Sequence, residues 1–441
     1  MFATAPIRGG GSWTVNVPSS GARTPSRTPV AADARRARWA VSLIFFLNGL
    51  SFCAILPRYP ELVDSIGLSN TAFGLAVGLG PLGGLLAGLG AAGLMKRWGS
   101  ARVAVTAQII ASTTHLLVYT AGSWLWLAGA LLMASAADAI TDIAMNAHGM
   151  RVERRYRRSI MNSYHGFWSL GAVTGGVLGA AGAQVGLPLW VQGVLGLVLF
   201  GAAAFASLRF MLPGPDTTER ESAAGPSPAS AADVPAGAHA SSEGAQGRRV
   251  AGMSMRGLGL IAALGAVLVF AGSTEDAGNT WGALFMHSTF EVTPFMAGMA
   301  FVALQGAQTI GRFTGDAVVD RLGDRLTARI GALVSAAGMS LALLLPTPAT
   351  ALVGFAAAGW GIATLFPAAF RAADDMPGVP PGVGITVVGW LARVGFFATP
   401  PIIGALADAF TLRYALWLVP IYAVGILLFS GALSGKREPV A

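Results

Sequence analysis

The feature that most constrains this chain is a succession of long apolar segments. A helix needs about 20 predominantly apolar residues to cross a bilayer, and twelve segments meet that length. They centre on 38–56, 71–94, 103–120, 123–148, 160–182, 187–210, 257–286, 292–315, 327–346, 349–370, 382–407 and 412–433. Only 11% of the residues are charged, against about 25% in soluble domains. The sequence therefore predicts an all-α membrane protein with twelve transmembrane helices.

Basic residues mark alternate connections between these spans, as expected if those connections are cytoplasmic. They comprise Arg35, Arg36, Arg38, Lys96, Arg97, Arg102, Arg151, Arg154, Arg155, Arg157, Arg158, Arg321, Arg325, Arg329, Arg371, Lys436 and Arg437, together with the linker arginines. The intervening connections hold only Arg58 and Arg413. This pattern predicts a cell inner membrane protein with both termini in the cytoplasm. It also explains the net charge of +8 as a topology signal, so we expect no nucleic-acid partner.

Composition divides the chain into five parts. Between the two sets of six spans, Pro213 to Arg249 is rich in Pro, Ala, Gly and Ser, a composition typical of flexible linkers. We predict a disordered cytoplasmic tail over 1–37, a six-helix bundle over 38–210, a linker over 211–256, a second bundle over 257–433 and a tail over 434–441.

The two halves also share glycines at one offset. Aligning Gly99 in "LMKRWGSARV" with Gly323 in "VVDRLGDRLT" requires a shift of 224 residues, and the same shift carries Gly171 onto Gly395. Together with six spans in each half, this indicates an internal duplication.

These features resemble the major facilitator superfamily of secondary transporters. Asp320, Arg321 and Gly323 match the core of its loop signature, whereas in the first half Arg97 and Gly99 fit and Lys96 stands where an acid is expected. The resemblance implies two pseudo-symmetric six-helix bundles around a central cavity. It also implies a monomer that exposes one site to each side of the membrane alternately.

A narrower resemblance is to a fucose-permease-like bacterial branch of that superfamily. In this branch an Asn-X-His ends span 4, matched by Asn146 and His148. A Glu precedes a Trp by six residues in span 7, matched by Glu275 and Trp281.

Acidic residues inside predicted spans are the first candidates for function. Asp138, Asp142 and Asn146 lie at i, i+4 and i+8, on one helix face, which must avoid lipid because a midspan acid costs about 2.5–3.5 kcal/mol to insert. A sheltered carboxylate can bind a proton near neutral pH, so we expect Asp138 to titrate during transport. Asp142 is a second proton-coupling candidate, or it pairs with Arg151 or Arg155.

Span 11 and span 7 contribute further charges. Arg393 keeps its positive charge and needs either an acid, such as Glu275 or Asp276, or an anionic group of the substrate. Glu275 is also a proton-coupling candidate. Span 7 is longer than one bilayer crossing, and we expect a helix break near these acids.

Polar and aromatic side chains of the spans complete the candidate site. The substrate-binding candidates are Asn48, Asn146, His165, Trp168, Trp281, Gln305, Gln308 and Arg393. Two alternatives stay open: His165 is a satisfied interior histidine or a proton carrier, and the glutamines bond neighbouring helices or a ligand.

Sequence motifs of several common enzyme and cofactor sites are absent. The sequence contains no nucleotide-binding loop, serine elbow or zinc-binding histidine motif, and Cys53 is the only cysteine. We therefore expect no enzyme, cofactor or metal, and an ion gradient as the energy source. Protons fit the buried acids, although sodium stays open.

The sequence predicts a secondary transporter for a small polar solute such as a sugar or an organic acid. The alternatives are proton-driven efflux of amphipathic compounds and a non-transporting receptor on the same fold.

Overall fold

The computed structural model describes residues 32–156, 159–214, 216, 249–250, 253–376, 379 and 383–434. Most of the predicted N-terminal tail and linker, and the C-terminal tail beyond 434, lie outside the described residues. Arg157, Arg158, Lys436 and Arg437 lie outside them too.

The first half is built of helices in the predicted order. These are α1 (Ala32–Cys53), α2 (Tyr59–Ile66), α3 (Asn70–Trp98), α4 (Ser100–Tyr119), α5 (Trp124–Tyr156), α6 (Met161–Gln184) and α7 (Leu189–Ser207), with 3-10 turns at Leu56–Arg58 and Leu208–Phe210. Pro57 is the second residue of the turn that separates α1 from α2, as expected of a residue that cannot donate within a helix. The first span of the structure therefore runs from Ala32 to Ile66 and extends beyond the predicted 38–56.

The second half repeats this plan. Two-residue strands at Arg249–Val250 and Met253–Ser254 pair antiparallel before α8 (Met255–Phe290). Then follow α9 (Pro294–Leu322), α10 (Asp324–Leu344), α11 (Pro348–Ile362), α12 (Leu365–Asp374), α13 (Val383–Ala409), α14 (Leu412–Ala415) and α15 (Leu418–Phe429), with a 3-10 turn at Ser430–Ala432. Apart from the short strand pair, the predicted all-α membrane architecture is confirmed.

Hydropathy and length together identify ten helical segments able to cross a membrane in the described part of the chain. The predicted count of twelve is not confirmed by this criterion, because α6 and α9 are less apolar. Both are long enough to span, with 24 and 29 residues. They pack against each other across the two bundles, so part of their surface meets protein and not lipid.

The duplication predicted from the glycine offset is visible in the packing. Helix α3 packs on α13, and α6 packs on α9. In the duplication α3 corresponds to α9 and α6 to α13, so the two contacts are equivalent. Gly99 and Gly323 end α3 and α9 with φ of 80° and 81°. A Cβ on Gly171 would strike the Phe46 carbonyl of α1, and one on Gly395 would lie 2.6 Å from the Val269 carbonyl of α8. Equivalent glycines therefore make equivalent helix contacts.

The break predicted in span 7 is wrong. Helix α8 runs without interruption for 36 residues, from Met255 to Phe290. Its glycines at 272 and 278 serve packing instead: a Cβ on Gly272 would lie 3.0 Å from the Phe396 ring, and one on Gly278 would strike Leu304. Glu275 and Asp276 thus stand on a rigid helix between two close contacts.

We call the side of the arginine-rich connections the basic face and the other side the opposite face. At the opposite face the bundles are joined by hydrogen bonds. The Asp408 carboxylate of α13 accepts from the backbone N–H of Asn70 at 2.9 Å and of Thr71 at 2.8 Å, at the start of α3. At the same face, a second hydrogen bond joins α6 and α9: the Phe295 N–H donates to Gln184 at 3.2 Å. The structure is therefore closed at the opposite face.

Replacing Asp408 with Ala should loosen this closure, because two helix N-terminal N–H groups lose their acceptor. Cys53 is buried and lines the cavity described below, so it reports on access. We expect a membrane-impermeant maleimide to label Cys53 several-fold faster from the opposite face in Asp408→Ala than in the parent.

The matched control for this labelling is Thr120→Ala, which removes a hydrogen bond within one helix at the same face. Equal labelling rates in the parent, Asp408→Ala and Thr120→Ala would show that the carboxylate does not hold the bundles together.

Candidate functional site

A cavity of about 350 Å³ lies between the two bundles. It is lined by the segment from α1 to α2 and by α3, α5 and α6 of the first half, and by α8, α9 and α13 of the second. Its polar and aromatic lining comprises Phe52, Tyr59, Ser135, Asp138, Trp168, Glu275, Asp276, Asn279, Thr280, Gln305, Arg393 and Phe396. Spans 1, 4, 5, 7, 8 and 11 therefore all contribute to the lining, and α3 (span 2) adds a seventh wall. Cavities of this size hold small molecules.

Asp138 is held by a chain of neutral hydrogen bonds from three helices. The Asn48 amide of α1 donates to Asp138 Oδ1 at 2.8 Å, and the Trp168 indole of α6 donates to Asn48 Oδ1 at 2.8 Å. Asn48 itself is buried and is not part of the lining. No Lys or Arg forms an ion pair with Asp138 within the described residues, so its charge is uncompensated in the ionised form.

Asp142 lies one helical turn nearer the basic face. Its carboxylate accepts from the Asn146 amide at 2.9 Å. The predicted pairing with Arg151 or Arg155 is wrong. Arg155 binds Asp33 at 2.5 Å, and Arg151 binds the start of the linker.

Asp276 is a cavity residue that the sequence prediction considered only as a partner for Arg393. Its side chain is 7% exposed. Thr280 Oγ1 donates to Asp276 Oδ1 at 3.0 Å, whereas Asp276 Oδ2 and Asn279 Oδ1 have no hydrogen-bond partner among the described residues. The spacing of Asn279 and Thr280, three and four residues after Asp276, was the available sequence signal for this polar face.

Arg393 faces the same cavity from α13. Its Nη1 donates to the Gly389 carbonyl at 3.1 Å, and within the described chain it forms no ion pair with Glu275 or Asp276. The expected repair of this charge by an acid of span 7 is therefore not observed. The guanidinium retains donors that can reach a bound molecule.

The remaining candidates divide between the cavity and its surroundings. Trp168 and Gln305 line the cavity. Trp281 and Gln308 do not: both are fully buried, and Trp281 packs edge-to-face on Phe73 with ring centroids 5.5 Å apart. His165 is exposed and meets the Phe45 ring edge-to-face at 5.3 Å.

The fold and cavity agree with comparisons to known proteins. The sequence model of the Major Facilitator Superfamily matches residues 41–274, more than half of the chain. The chain belongs to this superfamily. It is thus a secondary transporter by family and a multi-pass membrane protein, with the bilayer and a small-molecule substrate as its partners.

Relatives in this superfamily extend over nearly the whole chain. An uncharacterized MFS-type transporter of Yersinia pestis is 26% identical over 89% of this chain and 94% of its own length. The membrane protein MosC of Rhizobium meliloti is 27% identical over 91% of this chain and 92% of its own. The resemblance to a fucose-permease-like branch stays a prediction.

Solved structures support the superfamily fold. A bacterial homologue of the human lysosomal transporter Spinster, in an inward-facing unoccupied conformation, has a TM-score of 0.64 at 16% identity, covering 94% of this chain and 100% of that one. The nucleoside transporter NupG has a TM-score of 0.63 at 13% identity, covering 91% and 98%. At these identities the likeness concerns the fold alone.

In the second-half loop signature, the charge contact is made by Asp324, the residue after Gly323, and not by Asp320. Asp320 and Arg321 are exposed and form no ion pair among the described residues. Asp324, which follows Gly323 at the start of α10, is buried and binds Arg371 at 2.6 Å.

In the first half, the position equivalent to Asp324 is Ser100, and the carboxylate comes from the linker. The Ser100 N–H and Oγ both donate to Asp216 at 2.8 Å. Arg151 of α5, which is 2% exposed, donates to Asp216 at 3.4 Å and to the Pro213 carbonyl at 2.5 Å. Lys96 and Arg97 are exposed. The carboxylate that Asp324 supplies in the second half is thus supplied by Asp216 in the first half.

Truncating Asp324 to Ala should destabilise the protein, because the Arg371 guanidinium loses its acceptor. We expect a loss of about 1 kcal/mol, because the Arg371 side chain left without its acceptor is 38% exposed and water screens the pair. Thermal unfolding in detergent measures it. The matched control is Asp320→Ala, which removes an exposed acid four residues away. Equal melting temperatures for the two variants would contradict a structural role for the Asp324 contact.

Proposed function

We propose that this protein is a proton-coupled transporter that moves a small, neutral, polyhydroxylated solute such as a sugar across the cell inner membrane. We further propose that it acts as a monomer with both termini in the cytoplasm. The observation that carries the proposal is the charge of the central cavity. Three carboxylates, those of Asp138, Glu275 and Asp276, line it with a single guanidinium, that of Arg393.

Unpaired carboxylates inside a membrane protein support coupling to protons. A buried carboxylate without a cationic partner is strongly disfavoured in its charged form. Binding a proton removes that charge, and exposure of the cavity to the other side of the membrane allows its release. Asp138 and Asp276 satisfy this condition on opposite bundles, so protonation of either carboxylate changes the charge in the cavity between the two halves.

The lining also bears on the substrate. When these carboxylates are ionised, an organic anion meets three like charges and one opposite charge, and like charges at close range disfavour binding. A sugar presents hydroxyl groups that donate to Asp138, Asn279 and Gln305. Its apolar ring face can pack on an aromatic side chain such as Trp168.

Efflux of amphipathic compounds is a second candidate, supported by the apolar part of the same lining. Leu56, Val77, Leu85, Leu131 and Phe396 all contribute to the cavity wall. Such a wall accepts an apolar body while the carboxylates bind a cationic group.

The proton proposal is tested in proteoliposomes with an imposed gradient of about one pH unit, using the sugar that most stabilises the protein in thermal-shift screening. Such a gradient stores about 1.4 kcal/mol per proton, equivalent to about tenfold accumulation at one proton per solute. We expect Asp138→Asn and Asp276→Asn each to lose this accumulation while retaining exchange of labelled for unlabelled sugar.

The matched control for coupling is Asp316→Asn, an exposed acid of α9 outside the cavity, which should accumulate sugar as the parent does. Full accumulation by the double variant Asp138→Asn/Asp276→Asn would remove both carboxylates from the coupling mechanism.

Arg393→Gln tests the substrate class. The substitution removes a charged hydrogen-bond donor, and a hydrogen bond to such a group contributes about 1.5 kcal/mol. We therefore expect sugar binding to weaken about tenfold, as measured by isothermal titration. Arg312→Gln, an exposed arginine of α9 outside the lining, serves as the control. If Arg393→Gln abolishes binding of organic acids and leaves sugar binding unchanged, the organic-acid alternative replaces the sugar proposal.

A further inference from the structure

We propose a second binding site, inside the first bundle, for a slender apolar molecule that carries one hydroxyl group and enters from the bilayer. The site is a cavity of about 240 Å³ between α4, α6 and α7. Its lining includes Ser112, His115, Leu178, Gly193 and Leu199, and it shares no lining residue with the central cavity.

The hydroxyl group is inferred from the hydrogen bonds of the polar lining. Ser112 Oγ donates to the Gln108 carbonyl at 3.1 Å. Gln192 Nε2 donates to Tyr119 at 2.9 Å and to the Ala54 carbonyl at 3.2 Å. These polar groups are therefore already engaged within the bundle.

His115 differs from its neighbours. It is 6% exposed, and neither ring nitrogen has a hydrogen-bond partner within the described residues. A neutral imidazole offers one donor and one acceptor, and leaving both unpaired in a buried setting is unfavourable. A hydroxyl group can accept from one ring nitrogen or donate to the other. An anionic head group fits poorly because the lining contains no Lys or Arg.

The entrance faces the hydrocarbon. Leu178, Leu195 and Leu199 belong to the lining and are 50%, 46% and 59% exposed. They lie on α6 and α7, so their exposed surfaces meet acyl chains and not water. His115 lies one turn from the end of α4 at the opposite face, which places the entrance in the leaflet on that side.

The size of the cavity limits the ligand. A volume of about 240 Å³ equals roughly eight times the ~30 Å³ that a water molecule occupies in the liquid. Gly196 leaves room along α7 for a chain, because only the Phe200 ring lies near its Cβ position. A medium-chain alcohol therefore matches the cavity in volume and in head group.

The test uses a diazirine derivative of 1-octanol and the full-length protein in lipid nanodiscs. Irradiation should label peptides of α4 and α7 in a saturable manner. Excess 1-octanol should suppress this labelling, whereas excess octane should leave most of it. Labelling of the unmodified protein that does not saturate, or that octane suppresses as strongly as octanol, would overturn the proposal.

Two variants test the cavity itself. His115→Leu removes the unpaired imidazole and should reduce labelling at least fivefold. Gly196→Leu should do the same by filling the space, since its Cβ would lie at an ordinary 3.5 Å from Phe200. Thr113→Ala changes an exposed position on the same helix and should label as the parent does. Parental labelling in both His115→Leu and Gly196→Leu would refute the site.

Discussion

The structure depends on the exclusion of charge from hydrocarbon. An acid or a guanidinium in a spanning helix must turn away from lipid, and here such groups of both bundles meet around one cavity. Asp138, Asp276 and Arg393 come from α5, α8 and α13, helices with no common loop. Their convergence fixes which helix faces point inward. The apolar residues exposed on the remaining faces, such as Leu199 and Leu428, are then the surface that lipid covers.

Close helix contacts make this arrangement possible. Gly171, Gly175 and Gly179 of α6 each bring the helix against a backbone carbonyl of α1 or the turn after it, and small residues permit such an approach. Gly176 on the neighbouring face meets Phe301 of α9, across the bundle interface. One helix thus has a face fixed within its own bundle and a face at the boundary that alternating access must rearrange. The paired interface of α3 and α13 is closed in the same manner, with Gly74 against the Pro400 carbonyl.

Much of the fold could be predicted from the sequence because membrane insertion limits the alternatives. Apolar length and the alternation of arginines gave the spans and their order, and a two-glycine offset gave the duplication. Arg58, one of the two exceptions in the charge pattern, is 1% exposed and binds Glu61 and the Leu187 carbonyl, each at 2.6 Å. It is a structural residue, so it carries no topology signal.

The site was less predictable, since helix periodicity gives a face but not its neighbours. Asp142 and Arg393 were placed on suitable faces, yet their partners depended on rotations and tilts that one sequence does not reveal. Trp281 was expected near the substrate and instead packs in the core, with its ring edge-to-face on Phe73. Asp276 was undervalued for the same reason: its unpaired oxygen becomes apparent only once the surrounding helices are in place.

The contact of Asp216 with Ser100 and Arg151 changes where the first half ends. That half is completed by a residue well past α7, so its folding unit includes the first residues of the connecting segment. Separately expressed halves that reassemble in the membrane should therefore be divided beyond position 216. A division at position 210 would deprive the first half of the anion that neutralises a buried arginine.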